Sequence, residues 1–330
     1  MAEVLLGGRI HAQVSKRGLL SVVLISFNTR ELTLKCLQNL FSLGLPSDTE
    51  VWVVDNASTD RSAEAISELY PQVRLIRNPL NLGFAKAANM ALRACKGDYC
   101  LLLNTDCFPQ RGAIEELMDA LDRIPRAAIA AGALFHQDGR PQNSFGRAPT
   151  LSTELLPKGI LRILWPSRFP GKRDALEGPT SVESVVGAFL MVKRRAWEEV
   201  GLMDEGYFLF LEETDWCVRM RSSGWVVLHV PGARAVHLQG QSAAVDPVSA
   251  RIEFYRSRYR FFKIHRGEMV TWALRCGLLL KATCNWVSSG LLGAIPWPRS
   301  TVWKLRHKVD CGILNWHLRG CPANRGLGHN

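Results

Sequence analysis

Over its first 140 residues the chain alternates short apolar runs with stretches at helical spacing. Residues 21–26 read Ser-Val-Val-Leu-Ile-Ser, a strand. Leu34, Leu37, Leu40 and Phe41 then form one helical stripe. A second strand over 51–54 ends in Asp55-Asn56-Ala57-Ser58-Thr59-Asp60, and the helix after it stops at Pro71. The third strand, 73–77, is followed by Asn78-Pro79-Leu80-Asn81-Leu82-Gly83 and a helix reaching Arg93. The fourth, 99–103, is apolar or aromatic throughout, as a strand buried on both faces requires, and stops abruptly at Asn104-Thr105-Asp106. A helix over 112–121 and a fifth strand over 127–135 complete the pattern. Strands alternating with helices predict a doubly wound α/β fold with a parallel sheet.

From 144 to 180 the pattern dissolves into Pro, Gly and basic residues, which predicts a long loop or lid. Order returns with a strand over 182–192, a short helix over 194–200, and Tyr207-Phe208-Leu209-Phe210-Leu211 leading into Glu212-Glu213-Thr214-Asp215. Short strands are expected at 225–230 and 233–238, the second containing His237. Residues 248–266 form a helix with Ile252, Tyr255, Tyr259 and Phe262 on one face and basic residues on the others. Beyond it, 269–298 is rich in Trp and Leu, yet its longest uncharged run, 282–298, is short of a spanning helix and holds two prolines. The expectation is an interfacial segment with Trp272, Trp286, Trp297 and Trp303 at headgroup depth; an ordinary packed helical subdomain is the alternative.

Charge sharpens that expectation. The net charge is +11, and from Arg251 onward 14 Lys and Arg face 3 Asp and Glu, leaving residues 1–250 with 27 of each. A basic, apolar segment beside a neutral body implies an anionic membrane surface; its Trp and Leu content argues against nucleic acid. The nine cysteines show neither zinc spacing nor a CxxC, and read as reduced thiols of a cytoplasmic protein. Residues 1–18 carry no apolar run resembling a signal peptide and are expected to be a loose leader. The expected organisation is leader 1–18, catalytic domain 19–247 and membrane-associating helical region 248–330.

Candidate chemistry gathers at strand ends, where open α/β sheets bind ligands. Asp106 would hold a divalent metal, Mn²⁺ or Mg²⁺, on the diphosphate of a nucleotide sugar, with His237 as a second ligand. Asp55 suits the imide N–H of a pyrimidine. Glu212, Glu213 and Asp215 offer a carboxylate to take a proton from an incoming hydroxyl. Taken singly, a strand-end Asp reads more readily as a turn or helix cap, His237 as a histidine satisfied by backbone groups, and Glu212-Glu213 as a solvated helix N-terminus.

Together they resemble a known family. Asp55-Asn56-Ala57-Ser58-Thr59-Asp60, Asn81-Leu82-Gly83-Phe84-Ala85-Lys86-Ala87-Ala88-Asn89, Leu103-Asn104-Thr105-Asp106, Gly187-Ala188-Phe189-Leu190-Met191, Gly201-Leu202-Met203-Asp204-Glu205 and Glu212-Glu213-Thr214-Asp215 occur in the order of family 2 glycosyltransferases of the GT-A fold. They resemble the bacterial rhamnosyltransferase branch in particular, over residues 21–266.

The resemblance implies a Rossmann-like, mostly parallel sheet flanked by helices, with a C-terminal helical appendage. It implies that Asp55, Asn56, Lys86, Asn89, Asn104 and Asp106 bind the nucleotide sugar, that Asp106 and His237 hold the metal, and that Glu213 is the general base. Asn104 stands where the stricter motif has Asp. Glu213 is one methylene longer than the family's Asp, so Glu212 remains a candidate base. The activity implied is inverting transfer of a sugar, L-rhamnose from dTDP-rhamnose as the first expectation, to a polyprenyl-diphosphate-linked saccharide. The enzyme would lie on the cytoplasmic face of the plasma membrane. A catalytically silent nucleotide-sugar or membrane-binding module is the alternative.

Overall fold

The structure, a computed structural model, describes residues 18–166, 177–238, 246–294 and 300–327. Its first half runs β1 (Leu20–Ser26), α1 (Arg30–Ser42), β2 (Glu50–Asp55), α2 (Ser62–Leu69), β3 (Arg74–Arg77), α3 (Phe84–Ala94), β4 (Tyr99–Asn104), β5 (Cys107–Pro109), α4 (Ala113–Arg123) and β6 (Ala127–Phe135). Next come β7 (Phe145–Gly146), α5 (Leu151–Leu155), α6 (Lys158–Leu164), β8 (Thr180–Ser181), β9 (Ser184–Val185), β10 (Phe189–Lys193), α7 (Arg194–Val200), α8 (Glu212–Ser222) and β11 (Val226–His237). Three long helices follow: α9 (Pro247–Arg266), α10 (Glu268–Ala294) and α11 (Ser300–Leu318).

The main sheet has the order β3-β2-β1-β4-β10-β6-β11-β5, with β8 paired to β11. The pairs from β3 to β4 are parallel, as is β6 with β11. β10 enters antiparallel between β4 and β6. β4 explains the centre of the fold. Tyr99, Leu101 and Leu103 feed the core on one face, and Cys100 and Leu102 the core on the other. Alternate residues of one apolar run thus seal two layers of helix onto the sheet.

The segment expected to be a loop contains α5 and α6. The single strand expected over 182–192 is broken into β9 and β10. The two short strands expected over 225–238 are one strand, β11, whose register against β6 shifts between Val230 and Arg234, at Pro231 and Gly232. All nine cysteines are free thiols. Residues 1–17, most of the expected leader, lie outside the described residues, as does Trp297.

The C-terminal helices share a third core with the body. Tyr207 and Ala148 pack with Ile252, Tyr255, Phe261 and Phe262 of α9, with Leu274 and Leu278 of α10, and with Trp316 of α11. The charges of α9 are anchored as well. Arg258 lies 2.9 Å from Glu154, and Arg260 lies 2.7 Å from Asp204. Among the described residues no helix is long and apolar enough to cross a membrane.

Candidate functional site

The site lies along the carboxyl ends of β2, β1 and β4. Ser26 stands opposite Asp55 and Ile25 opposite Asn104, so the three ends share one rim. Asp55 is buried; its Oδ2 accepts the Ser58 N–H at 3.2 Å, whereas Oδ1 meets no hydrogen-bond partner among the described residues. A buried carboxylate oxygen left open can accept from a ligand N–H or from water.

Asn56 is used differently. Its amide donates to Asn81 Oδ1 and the Gly83 carbonyl, and its oxygen accepts from Asn78 Nδ2 and the Leu82 N–H. That satisfies its full capacity and ties the 78–83 loop to the end of β2. Asn89 is likewise occupied. It donates to the Met203 carbonyl and Glu205, and accepts the Met203 N–H. Both residues hold the walls of the site, so the nucleotide contacts expected of them would compete with these bonds. Lys86 is exposed on the first turn of α3, and Asn104 is partly exposed at the end of β4.

Asp106 and His237 meet although 131 positions separate them. β11 pairs with β5 so that His237 faces Cys107, and the Leu238 N–H donates to the Asp106 carbonyl at 3.0 Å. Asp106 Oδ1 then lies 3.4 Å from His237 Nε2, with both residues buried. Among the described residues no cluster of three His, Cys, Asp or Glu side chains could hold a metal unaided. A carboxylate and an imidazole do suit Mn²⁺ or Mg²⁺ when phosphate oxygens complete the shell. The residues present therefore fit a metal bound together with a diphosphate.

The acidic cluster faces the same rim. The Asn104 N–H donates to the Ala188 carbonyl at 3.0 Å, and a Cβ on the neighbouring Gly187 would stand 3.5 Å from Glu213 Cβ. Glu213 is aimed by two consecutive left-handed residues, Phe210 (φ 71°) and Leu211 (φ 66°), which start α8 sharply. Such backbone costs about 1–2 kcal/mol per non-glycine residue and gathers where function demands it.

Burial pushes the Glu213 carboxyl up to about 7, near the operating range of a general base. Glu212 is driven well above the usual carboxylate range by burial and by Glu213 beside it, and its Oε2 meets no partner among the described residues. Asp215 belongs elsewhere. Burial pushes its carboxyl up, but hydrogen bonds from His265 Nε2 at 2.7 Å and Arg219 Nε at 2.8 Å bring it below its ordinary value. It fastens α8 to α9, with both carboxylate oxygens engaged.

Two residues were missed in the sequence. Gly83 (φ 79°) lies against Phe208, whose carbonyl accepts the Phe84 N–H at 2.7 Å; a Cβ there would fall 2.4 Å from that oxygen. The 78–83 loop therefore touches the segment that leads into Glu213. Gln142 lies beside the His237 ring. A glycine in a loop and a glutamine after a turn carry no local signal of either role.

Comparison with known proteins fits this arrangement. The glycosyl transferase family 2 model matches residues 21–201. The N-acetylglucosaminyl-diphospho-decaprenol L-rhamnosyltransferase of Mycobacterium tuberculosis is 31% identical over 265 residues, covering 74% of this chain and 86% of that protein. A dTDP-rhamnosyl transferase of Shigella flexneri is 24% identical over 258 residues, covering 75% of this chain and 80% of that protein. Among solved structures, a Pyrobaculum calidifontis mannosyltransferase in complex with GDP-Man and Mn²⁺ superposes with a TM-score of 0.53 at 14% identity, covering 93% of this chain and 89% of that one. At that identity the likeness shows the fold, which is GT-A. The strand-end acids, the Gly187 contact and the family match lead to one conclusion: the chain is a glycosyltransferase and belongs to glycosyl transferase family 2.

Proposed function

We propose that this glycosyltransferase moves L-rhamnose, with inversion, from dTDP-rhamnose to a polyprenyl-diphosphate-linked saccharide in cell-envelope polysaccharide synthesis. The observation that carries the reading is Glu213, a carboxyl raised to about 7 and packed against Gly187 beside the end of β4. Near neutral pH a fraction of it is ionised and basic enough to take the acceptor hydroxyl proton as the oxygen attacks the anomeric carbon. Asp55 Oδ1 accepts the imide N–H of the pyrimidine. Asp106 and His237 would hold the divalent cation, which offsets charge on the departing diphosphate. The names of the relatives support the sugar and the acceptor class.

The membrane face of the reading rests on α10. Leu274, Leu278 and Ala282 form its buried stripe, while Met269, Trp272, Cys276, Leu280, Val287 and Leu291 form a second, exposed one at the same spacing. Two apolar stripes on one helix, one packed and one facing outward in a basic region, suit a helix lying in a membrane interface. The enzyme would thereby meet its lipid-linked acceptor from the cytoplasmic side, as a peripheral protein.

The test is transfer by the full chain from a panel of labelled nucleotide sugars to polyprenyl-diphosphate N-acetylglucosamine, with and without excess EDTA. Transfer confined to dTDP-rhamnose and abolished by EDTA is expected. Transfer from another donor replaces the sugar assignment, and undiminished transfer in EDTA removes the metal.

A further inference from the structure

We infer that Gln142 is a positioning residue that fixes which nitrogen of the His237 ring faces Asp106; the inference rests on the metal and diphosphate reading above. Gln142 Nε2 lies 2.6 Å from the backbone carbonyl oxygen of His237, an atom that can only accept. The amide nitrogen must therefore point there, which leaves Oε1 facing His237 Nδ1 at 3.1 Å. Because Oε1 only accepts, Nδ1 carries the hydrogen. In the neutral ring Nε2 then holds the lone pair, and Nε2 is the atom 3.4 Å from Asp106 Oδ1. Two acceptors confront each other across a buried gap, an arrangement that a cation between them resolves.

The orienting residue is itself held. Its backbone N–H donates to the Leu134 carbonyl at 2.8 Å, and its carbonyl accepts from Ser144 Oγ at 3.2 Å. Its amide nitrogen also lies 3.1 Å from His136 Nδ1. Gln142 thus fastens the ring to the end of β6, and one side chain sets both the tautomer and the plane of the imidazole. Residues that orient metal-binding histidines in this way typically change metal affinity by about 10–100-fold when removed.

The experiment compares the wild-type chain with Gln142→Leu and His237→Ala. Mn²⁺ uptake is followed by the EPR signal of the free ion, alone and with dTDP, and the tautomer by long-range ¹⁵N NMR on histidine-labelled protein. The His237 signal is assigned by its loss in His237→Ala. The expected result is an Nδ1–H ring in the wild type and a mixed or Nε2–H ring in Gln142→Leu. Mn²⁺ should bind about tenfold or more weakly in both variants, with dTDP affinity in EDTA unchanged by Gln142→Leu. An Nε2–H ring in the wild type overturns the inference and leaves the metal reading standing. So does an unaltered ring and Mn²⁺ affinity in Gln142→Leu when His237→Ala is weakened. A wild-type chain that takes up no Mn²⁺, or an unweakened His237→Ala, overturns the metal reading and this inference with it. Gln142→Asn, which keeps the amide but shortens its reach, asks the same question if Gln142→Leu fails to fold.

Discussion

Asp55 and Asn56 are neighbours in the chain and opposites in use: every polar atom of the Asn56 side chain is bonded, while Asp55 Oδ1 is buried with no partner among the described residues. Asn56 builds the wall, and the function proposed above gives the open Asp55 oxygen to the ligand. Asp55→Asn turns the open acceptor into a possible donor. Calorimetric titration with dTDP or UDP should show affinity reduced about tenfold, matching about 1.5 kcal/mol for a hydrogen bond to a charged group. The melting temperature should hold or rise. Unchanged affinity would remove Asp55 from base recognition.

Glu213→Gln should lower kcat about 10²–10⁴-fold with little change in the donor KM. In the wild type, kcat should fall roughly tenfold per pH unit below about 7, because the base must be ionised and burial has raised it to that value. Steady-state rates across pH 5–9 measure this. If Glu212→Gln shows the large loss instead, the two roles exchange.

Glu212 makes a prediction about stability. Burial holds its carboxyl above the unfolded value, so the folded chain keeps a proton that the unfolded chain releases. The contribution of Glu212 to stability is therefore most favourable at or below the ordinary carboxylate range and falls as pH rises above it. Glu212→Gln resembles the protonated acid and removes that loss. Its advantage in melting temperature over the wild type should widen from pH 5 to pH 8 in thermal scans; a constant difference would show that Glu212 is ionised in the fold.

Gly83→Ala places a Cβ 2.4 Å from a backbone oxygen at a φ of 79°, so the Phe208 segment must move and carry Phe210, Leu211 and Glu213 with it. Gly112→Ala is the control, because its φ of 81° has the same sign but no atom lies within 4 Å of the added carbon. The control should lose about 1 kcal/mol. Gly83→Ala should lose more, together with most of its activity, as seen by urea titration and rate measurement.

For the outward stripe of α10, Met269 and Leu280 are 87% and 66% exposed. The wild-type chain should float with phosphatidylglycerol vesicles and less with phosphatidylcholine alone, while Trp272→Ser combined with Leu280→Ser should remain in the soluble fraction with an unchanged melting temperature. Absence of flotation by the wild type would refute the interfacial helix.

The layering of the fold was legible because β1, β2, β4 and β6 are apolar runs ending in polar turns, a signal carried by each segment alone. Strand direction was not. β10 is as apolar as its neighbours, and nothing in Phe189 or Leu190 says that it runs against β4. Asp106 and His237 could be paired from sequence because each follows or ends a strand at a site of known chemistry. The wall-building bonds of Asn56 and Asn89 were not legible, because their motif positions suggest ligand contact whereas their partners lie in loops whose approach is a tertiary property. Pro231 and Gly232 looked like a turn between two strands, yet β11 absorbs them as an irregularity and continues.

The Asp215–His265 hydrogen bond bears on how such enzymes can be recombined. A cut at 247/248 looks like a clean seam in composition, but it would strand a buried carboxylate on the helix that carries Glu213. The third core, shared by Tyr207 and α9, would open at the same time. C-terminal helices exchanged between relatives would therefore have to bring a matching partner for Asp215, and a shuffled library that ignores this pairing would lose folded members before any preference was screened.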